Sequence, residues 1–190
     1  MTNFDSHRSL LLASAVVLAG AAAIAGCNHQ PAHADEKSAV TNSLNGNNLS
    51  DISVSQDRDK GVMTLTGNVS SDDDKTKAEN LAKQAAPDYT IADEIGVRPP
   101  GDTQASGVES KLDSGIEDNF KASIKAHKNL DDQSISGSAK NGTLVLKGSV
   151  KTEAQKKEAE HLAKQVPNVQ QVVNELEVKP GKHSTASSGE

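Results

Sequence analysis

This chain repeats itself, and the repeat limits the folds open to it. Residues 61–69 read GVMTLTGNV, and residues 142–150, 81 positions later, read GTLVLKGSV. The same offset of 81 superposes Leu81-Ala82-Lys83-Gln84 on Leu162-Ala163-Lys164-Gln165, residues 93–97 on 174–178, and Asn48-Leu49 on Asn129-Leu130. A single offset shared by separate segments means two copies of one supersecondary unit rather than one larger core. The copies occupy residues 37–98 and 111–179. Between them, residues 99–110 begin with two prolines and have the composition of a linker.

Each copy shows the same order of periodicities. A first, weakly amphipathic helix carries Val40 and Leu44 in copy one and Ile116, Phe120 and Ile124 in copy two. A short strand follows, at Ile52 and Val54 or at Ser134 and Ile135, and then a turn at Lys60-Gly61 or Asn141-Gly142. Asn-Gly suits a tight hairpin because both residues tolerate positive φ. The next strand alternates Met63, Leu65, Gly67, Val69 and, in the second copy, Leu144, Leu146, Gly148, Val150, so a period of two places these on one face. A second helix opens at Ser71 ahead of three aspartates, and at Thr152 with Gln155 three residues on, a capping box. Its apolar stripe runs Ala78, Leu81, Ala82, Ala85 and Ala159, Leu162, Ala163, Val166. A last strand alternates Ile91, Asp93, Ile95, Val97 and Val172, Asn174, Leu176, Val178. The expected fold class is α+β: two tandem small αββαβ modules, each a mixed sheet with two helices on one face.

With 2% aromatic residues and no tryptophan, such modules must build their cores from Leu, Ile, Val and Ala. The net charge of −6, without a basic stripe or stacking aromatics, argues against nucleic acid as a partner. The charge is unevenly divided. Residues 36–98 hold 7 basic and 11 acidic side chains, whereas residues 109–180 hold 11 of each.

The N-terminus reads as an address. Residues 1–8 are polar and end in Arg8, and residues 9–24 carry no charge but are too few for a membrane span of roughly 20 residues. Ile24-Ala25-Gly26-Cys27 then resembles the bacterial lipobox, and Cys27 is the only cysteine, so no internal disulfide is possible. Residues 1–26 are expected to be a cleaved signal peptide. Residues 27–36 are expected to be an acylated Cys27 and polar tether, and residues 180–190 a disordered tail. The covalent lipid on Cys27 is the only prosthetic group expected, and it implies a membrane partner through the acyl anchor. Asn28, rather than Asp, after the cysteine implies an outer-membrane address facing the periplasm if the cell has two membranes.

The strand motif M-x-L-x-G-x-V or L-x-L-x-G-x-V (residues 63–69 and 144–150) resembles the BON module of bacterial osmotically induced periplasmic proteins and envelope lipoproteins. So do the A-x-x-L-A helix (78–82 and 159–163) and VQQVVNELEV (169–178). The second copy matches better, since the first has Asp88 and Asp93 where the pattern has valine and asparagine. The resemblance implies binding of phospholipid or other envelope components and support of envelope integrity or osmotic tolerance. A periplasmic chaperone or stress-protection role and a potassium-binding sensor are alternatives.

The sharpest candidate for a binding surface is residues 116–128, IEDNFKASIKAHK. Phe120 and Ile124 continue the apolar stripe, while Lys121, Lys125 and Lys128 form an adjacent one, a pattern suited to an interfacial helix on anionic phospholipid. The alternative is a helix whose apolar side covers its own sheet. Asp72, Asp73 and Asp74 lack the spacing of a calcium loop and read as a helix cap. The histidines lack zinc spacing, so no metal site is expected, and no nucleophile or phosphate-loop constellation points to an enzyme.

Overall fold

A computed structural model describes residues 31–98 and 105–180; the proposed signal peptide, Cys27 and residues 181–190 lie outside them. The first module contains α1 (Lys37–Asn45), β1 (Ser53–Asp57), β2 (Val62–Val69), α2 (Asp72–Ala85) and β3 (Thr90–Val97). The second contains α3 (Ala105–Ala126), β4 (Ser134–Lys140), β5 (Thr143–Val150), α4 (Glu153–Lys164), β6 (Gln171–Asn174) and β7 (Glu177–Val178).

The sheets are mixed, as the repeat requires. β1 pairs antiparallel with β2, and β3 pairs parallel with β2 in the order β1-β2-β3. β4, β5 and β6 repeat this order, and β7 continues the parallel pairing to β5 after a break at Glu175-Leu176. The expected single last strand of the second module is therefore two short ones. Asn141 and Gly142 take φ of 49° and 81°, so the Asn-Gly hairpin forms as its residues favour. Thr152 and Gln155 complete the capping box of α4, and the Ser71 hydroxyl accepts from the Asp74 amide to cap α2.

Alternation sorts the strand residues into two sets. Met63, Leu65, Val69, Ile91 and Ile95 face α1 and α2, where Val40, Leu44, Ala78 and Ala82 close the first core. Leu144, Leu146, Val150 and Leu176 do the same beneath α3 and α4, with Ile116, Phe120 and Leu162. Val62 and Ala92 of the first sheet and Val145 and Val173 of the second fall on the opposite faces, and these four side chains bury one another. The two modules therefore meet through the helix-free sides of their sheets.

The motif glycines have a steric origin. Gly148 has φ of +118°, and a Cβ there would lie 1.9 Å from the Ser134 carbonyl oxygen of the neighbouring strand. Gly67 occupies the equivalent place with φ of +134°.

Two boundaries differ from the sequence reading. α3 starts at Ala105, inside the expected linker, so the composition of residues 105–110 did not prevent a helix fused to the second module. The end of the expected tether is docked. His33 exchanges backbone and side-chain hydrogen bonds with Arg58 and packs its ring on Tyr89 at 5.2 Å, while Gln56 and Tyr89 both donate to the Ala34 carbonyl. Polar composition hid these contacts because they are made by main chain and rings rather than by an apolar run.

Candidate functional site

A spacing of four residues drifts by about 40° per step around a helix, yet Ile116, Phe120 and Ile124 all remain on the inward side of α3. Phe120 is 1% exposed and Ile124 7%, both within the second core. Those two side chains cover their own sheet, the alternative reading of the stripe. Their removal from water stabilises the module by roughly 1.5–3 kcal/mol each.

The lysines are placed differently. Lys121 and Lys125 project from the exposed flank of α3 and Lys128 from the turn that follows it. Among the described residues, none of the three has a carboxylate within ion-pair distance, whereas Lys60, Lys83, Lys140, Lys151, Lys164 and Lys179 each have one.

Between α3 and the edge strand β4 lies a cleft of about 320 Å³. Phe120, Ile124 and Ile135 supply its apolar wall, and Lys121 stands beside Ser136 and Glu117 at its polar margin. Buried as they are, Phe120 and Ile124 thus still contribute a surface to a small amphiphilic space. Acidic side chains of α3 fix the cleft's shape. Glu117 accepts from the Ala139 amide at 2.8 Å, and Asp113 accepts from the Asn141 and Gly142 amides at 2.9 and 3.1 Å. Those carboxylates satisfy strand and turn amides that would otherwise lack partners. Sequence reasoning missed them, because the pairing depends on where the hairpin folds back.

The seam between the modules was also absent from the sequence reading. Gln171 of β6 donates to the Ile91 carbonyl and accepts from the Asp93 amide, both at 2.8 Å. Thr143 donates to the Asp93 carbonyl, and Asn141 donates to the Glu94 carbonyl at 2.7 Å. Side chains of the second module thereby satisfy the outer edge of β3, which would otherwise be open to strand addition. Lys60 pairs with Glu175 across the seam at 2.8 Å, and that hydrogen bond raises the lysine's pKa. Burial pushes the Asp93 and Glu94 carboxyls above their ordinary pKa values.

Among the described residues, no group of three His, Cys, Asp or Glu side chains is arranged to hold a metal ion. No described helix is long and apolar enough to cross a membrane. Asp72, Asp73 and Asp74 occupy the first turn of α2.

Two mixed αββαβ modules, packed through the bare sides of their sheets and each with a positive-φ glycine in its central strand, define a tandem α+β repeat protein. The chain belongs to the BON domain family, whose profile matches residues 34–99 and again 112–180. It is 27% identical over 132 residues to the osmotically-inducible protein Y of Escherichia coli strain K12, a match spanning 70% of this chain and 65% of that protein. It is 28% identical over 123 residues to an uncharacterized protein encoded in the gshII 5' region of Anaplasma centrale, over 65% of this chain and 80% of the other. Among solved structures, the C-terminal domain of CdsD, a structural protein of the type III secretion system of Chlamydia trachomatis, aligns over 76% of this chain and 64% of its own. It does so at 15% identity and a TM-score of 0.30. A second structure of CdsD aligns over 77% of this chain and 63% of its own, at 12% identity and the same TM-score of 0.30.

Proposed function

We propose that the protein is an acyl-anchored envelope lipoprotein, facing the periplasm from the outer membrane, whose second module contacts anionic phospholipid and which supports envelope integrity under osmotic stress. The observation that carries the lipid reading is the α3–β4 cleft, where Phe120, Lys121 and Ile124 share one amphiphilic space beside two further unpaired lysines. Lysines without carboxylate partners attract phosphate, and the apolar wall accommodates the first carbons of an acyl or glycerol moiety. The stress role is supported by family membership and by the likeness to an osmotically inducible protein. The lipobox supports the anchor.

The test is vesicle co-sedimentation of the non-acylated chain beginning at residue 28. Binding to anionic vesicles but not neutral ones, weakening as salt rises, is expected. Replacing Lys121, Lys125 and Lys128 by Glu should abolish it. Undiminished binding by that variant would remove the second module's lysines from the account.

A further inference from the structure

The opening helix of the second module is longer than its counterpart, and the added length carries apolar surface that nothing covers. α1 starts at Lys37, whose equivalent 81 positions on is Asp118, whereas α3 already starts at Ala105. The added turns hold Val108 and Leu112. These are the exposed large hydrophobic side chains among the described residues, 57% and 47% accessible.

Leu112 borders a groove of about 310 Å³ between the first turns of α3 and the end of β3. Ile95 and Ile116, both buried, and Val97 and Val169, both half-buried, give the groove an apolar floor. Asp72, Glu109 and Asp113 stand around it with one cation, Lys75. Arg98 holds Glu109 at 3.3 Å, and the Asn141 and Gly142 amides hold Asp113, so the rim is fixed in place. Even with Arg98 counted its charge stays negative, and the first module beside it carries 11 acidic side chains against 7 basic ones.

Exposed apolar surface rimmed by polar groups marks an interaction site. The sign of this rim disfavours an anionic headgroup and complements a cationic partner. The spacing of the two side chains gives the partner's shape. Val108 and Leu112 are one turn apart, about 6 Å along the helix axis. Alternate residues of an extended chain stand about 6.6 Å apart and point the same way. We propose that this flank of α3 and the groove beside it dock an extended polypeptide segment of a partner protein, with apolar side chains at alternate positions and lysine or arginine among them. Successive apolar side chains cover Val108 and Leu112 and enter the groove, and the basic ones reach Asp72 and Glu109. Lys121 lies about 180° around the helix from Leu112. The surface is therefore separate from the cleft and lysines assigned to lipid, and it stands if that reading fails.

The experiment is fluorescence anisotropy of dye-labelled peptides that alternate leucine with lysine, with serine or with glutamate, titrated with the non-acylated chain beginning at residue 28. The lysine peptide should bind, more weakly as salt rises. The serine peptide should bind about tenfold less tightly, and the glutamate peptide should not bind. Leu112→Ser, at a position outside the core, should leave Tm unchanged. It should weaken binding of the lysine peptide about three- to tenfold, the share of a leucine's burial still open there. Asp72→Asn should narrow the gap between the lysine and serine peptides. Anionic vesicle binding should be the same in Leu112→Ser as in the parent; its loss would mean that this flank faces lipid and would overturn the proposal. Equal binding of the three peptides, no binding of the lysine peptide, or undiminished binding by Leu112→Ser would overturn it as well.

Discussion

Replacing Gln171 by Ala should uncouple the two modules. The Gln171 side chain makes two 2.8 Å hydrogen bonds to the outer edge of β3, one each way, and the Thr143 hydroxyl lies 3.4 Å from its oxygen. The substitution leaves the Ile91 carbonyl and the Asp93 amide without partners. A buried group left unsatisfied costs about 1–3 kcal/mol, but water from the adjoining cavity can reach this edge, so the lower half of that range applies. Two such groups give a loss of about 2–4 kcal/mol. Against it stands a seam whose buried apolar cluster, among the described residues, is Val62, Ala92, Val145 and Val173, within a total stability of about 5–15 kcal/mol for a typical protein. The modules should then unfold in separate steps. Urea unfolding can resolve this, because the only tyrosine, Tyr89, lies in the first module and there is no tryptophan. Tyrosine fluorescence thus reports one module while circular dichroism reports both. The two transitions should coincide in the parent chain and part in Gln171→Ala. Gln165→Ala, whose side chain reaches only His161 of its own helix, should stay within about 0.5 kcal/mol of the parent. A loss below about 0.5 kcal/mol in Gln171→Ala with coincident transitions would refute the reasoning.

Gly148→Ala should cost about 3–5 kcal/mol in urea unfolding, because a Cβ 1.9 Å from the Ser134 oxygen forces β4 from β5 at a strained φ. Gly67→Ala should cost less, since the obstructing Asp51 carbonyl at 2.4 Å precedes β1 and has more room to retreat; equal, small losses would mean that the strands separate freely. Asp93→Asn should stabilise the chain at neutral pH and not in acid. The folded state raises the Asp93 pKa above its ordinary value of 3.8, so folding binds protons. The penalty for holding this group ionised is absent below 3.8, grows as pH rises toward the folded pKa, and is full above it. The stability difference between variant and parent, measured from pH 4 to 8, should therefore widen with pH; a constant difference would contradict a buried, reluctant carboxylate.

The order of elements, the mixed sheets, the Asn-Gly hairpin and the caps at Ser71 and Thr152 were all legible in the residues. Each depends on neighbours within a few positions, and the 81-residue repeat let weak signals in one copy be checked against the other. Which of the two readings of the Ile116–Ile124 stripe applies was not legible, because periodicity reveals that a helix has an apolar side but not which surface covers it; Phe120 and Ile124 lie in the second core with Leu144 and Leu146 of β5. The docking of His33 and the early start of α3 were hidden by polar composition, which does not register main-chain hydrogen bonds or a helix extended on the strength of what it adjoins.

Chain-local geometry sets the two copies of one αββαβ module, the residues that face each core, and the places of the glycines and caps, so these were readable from the residues. That the modules meet through Val62, Ala92, Val145 and Val173, and that Gln171 seals the edge of β3, follows from long-range packing. It also placed Phe120 and Lys121 in one cleft, and it tied Asn174 to both its strand and its helix while the hydrogen bond of the Asp93 side chain is to its own strand. Those features require residues as many as 80 positions apart to converge, and a side chain's partners are set by that convergence rather than by its neighbours along the chain.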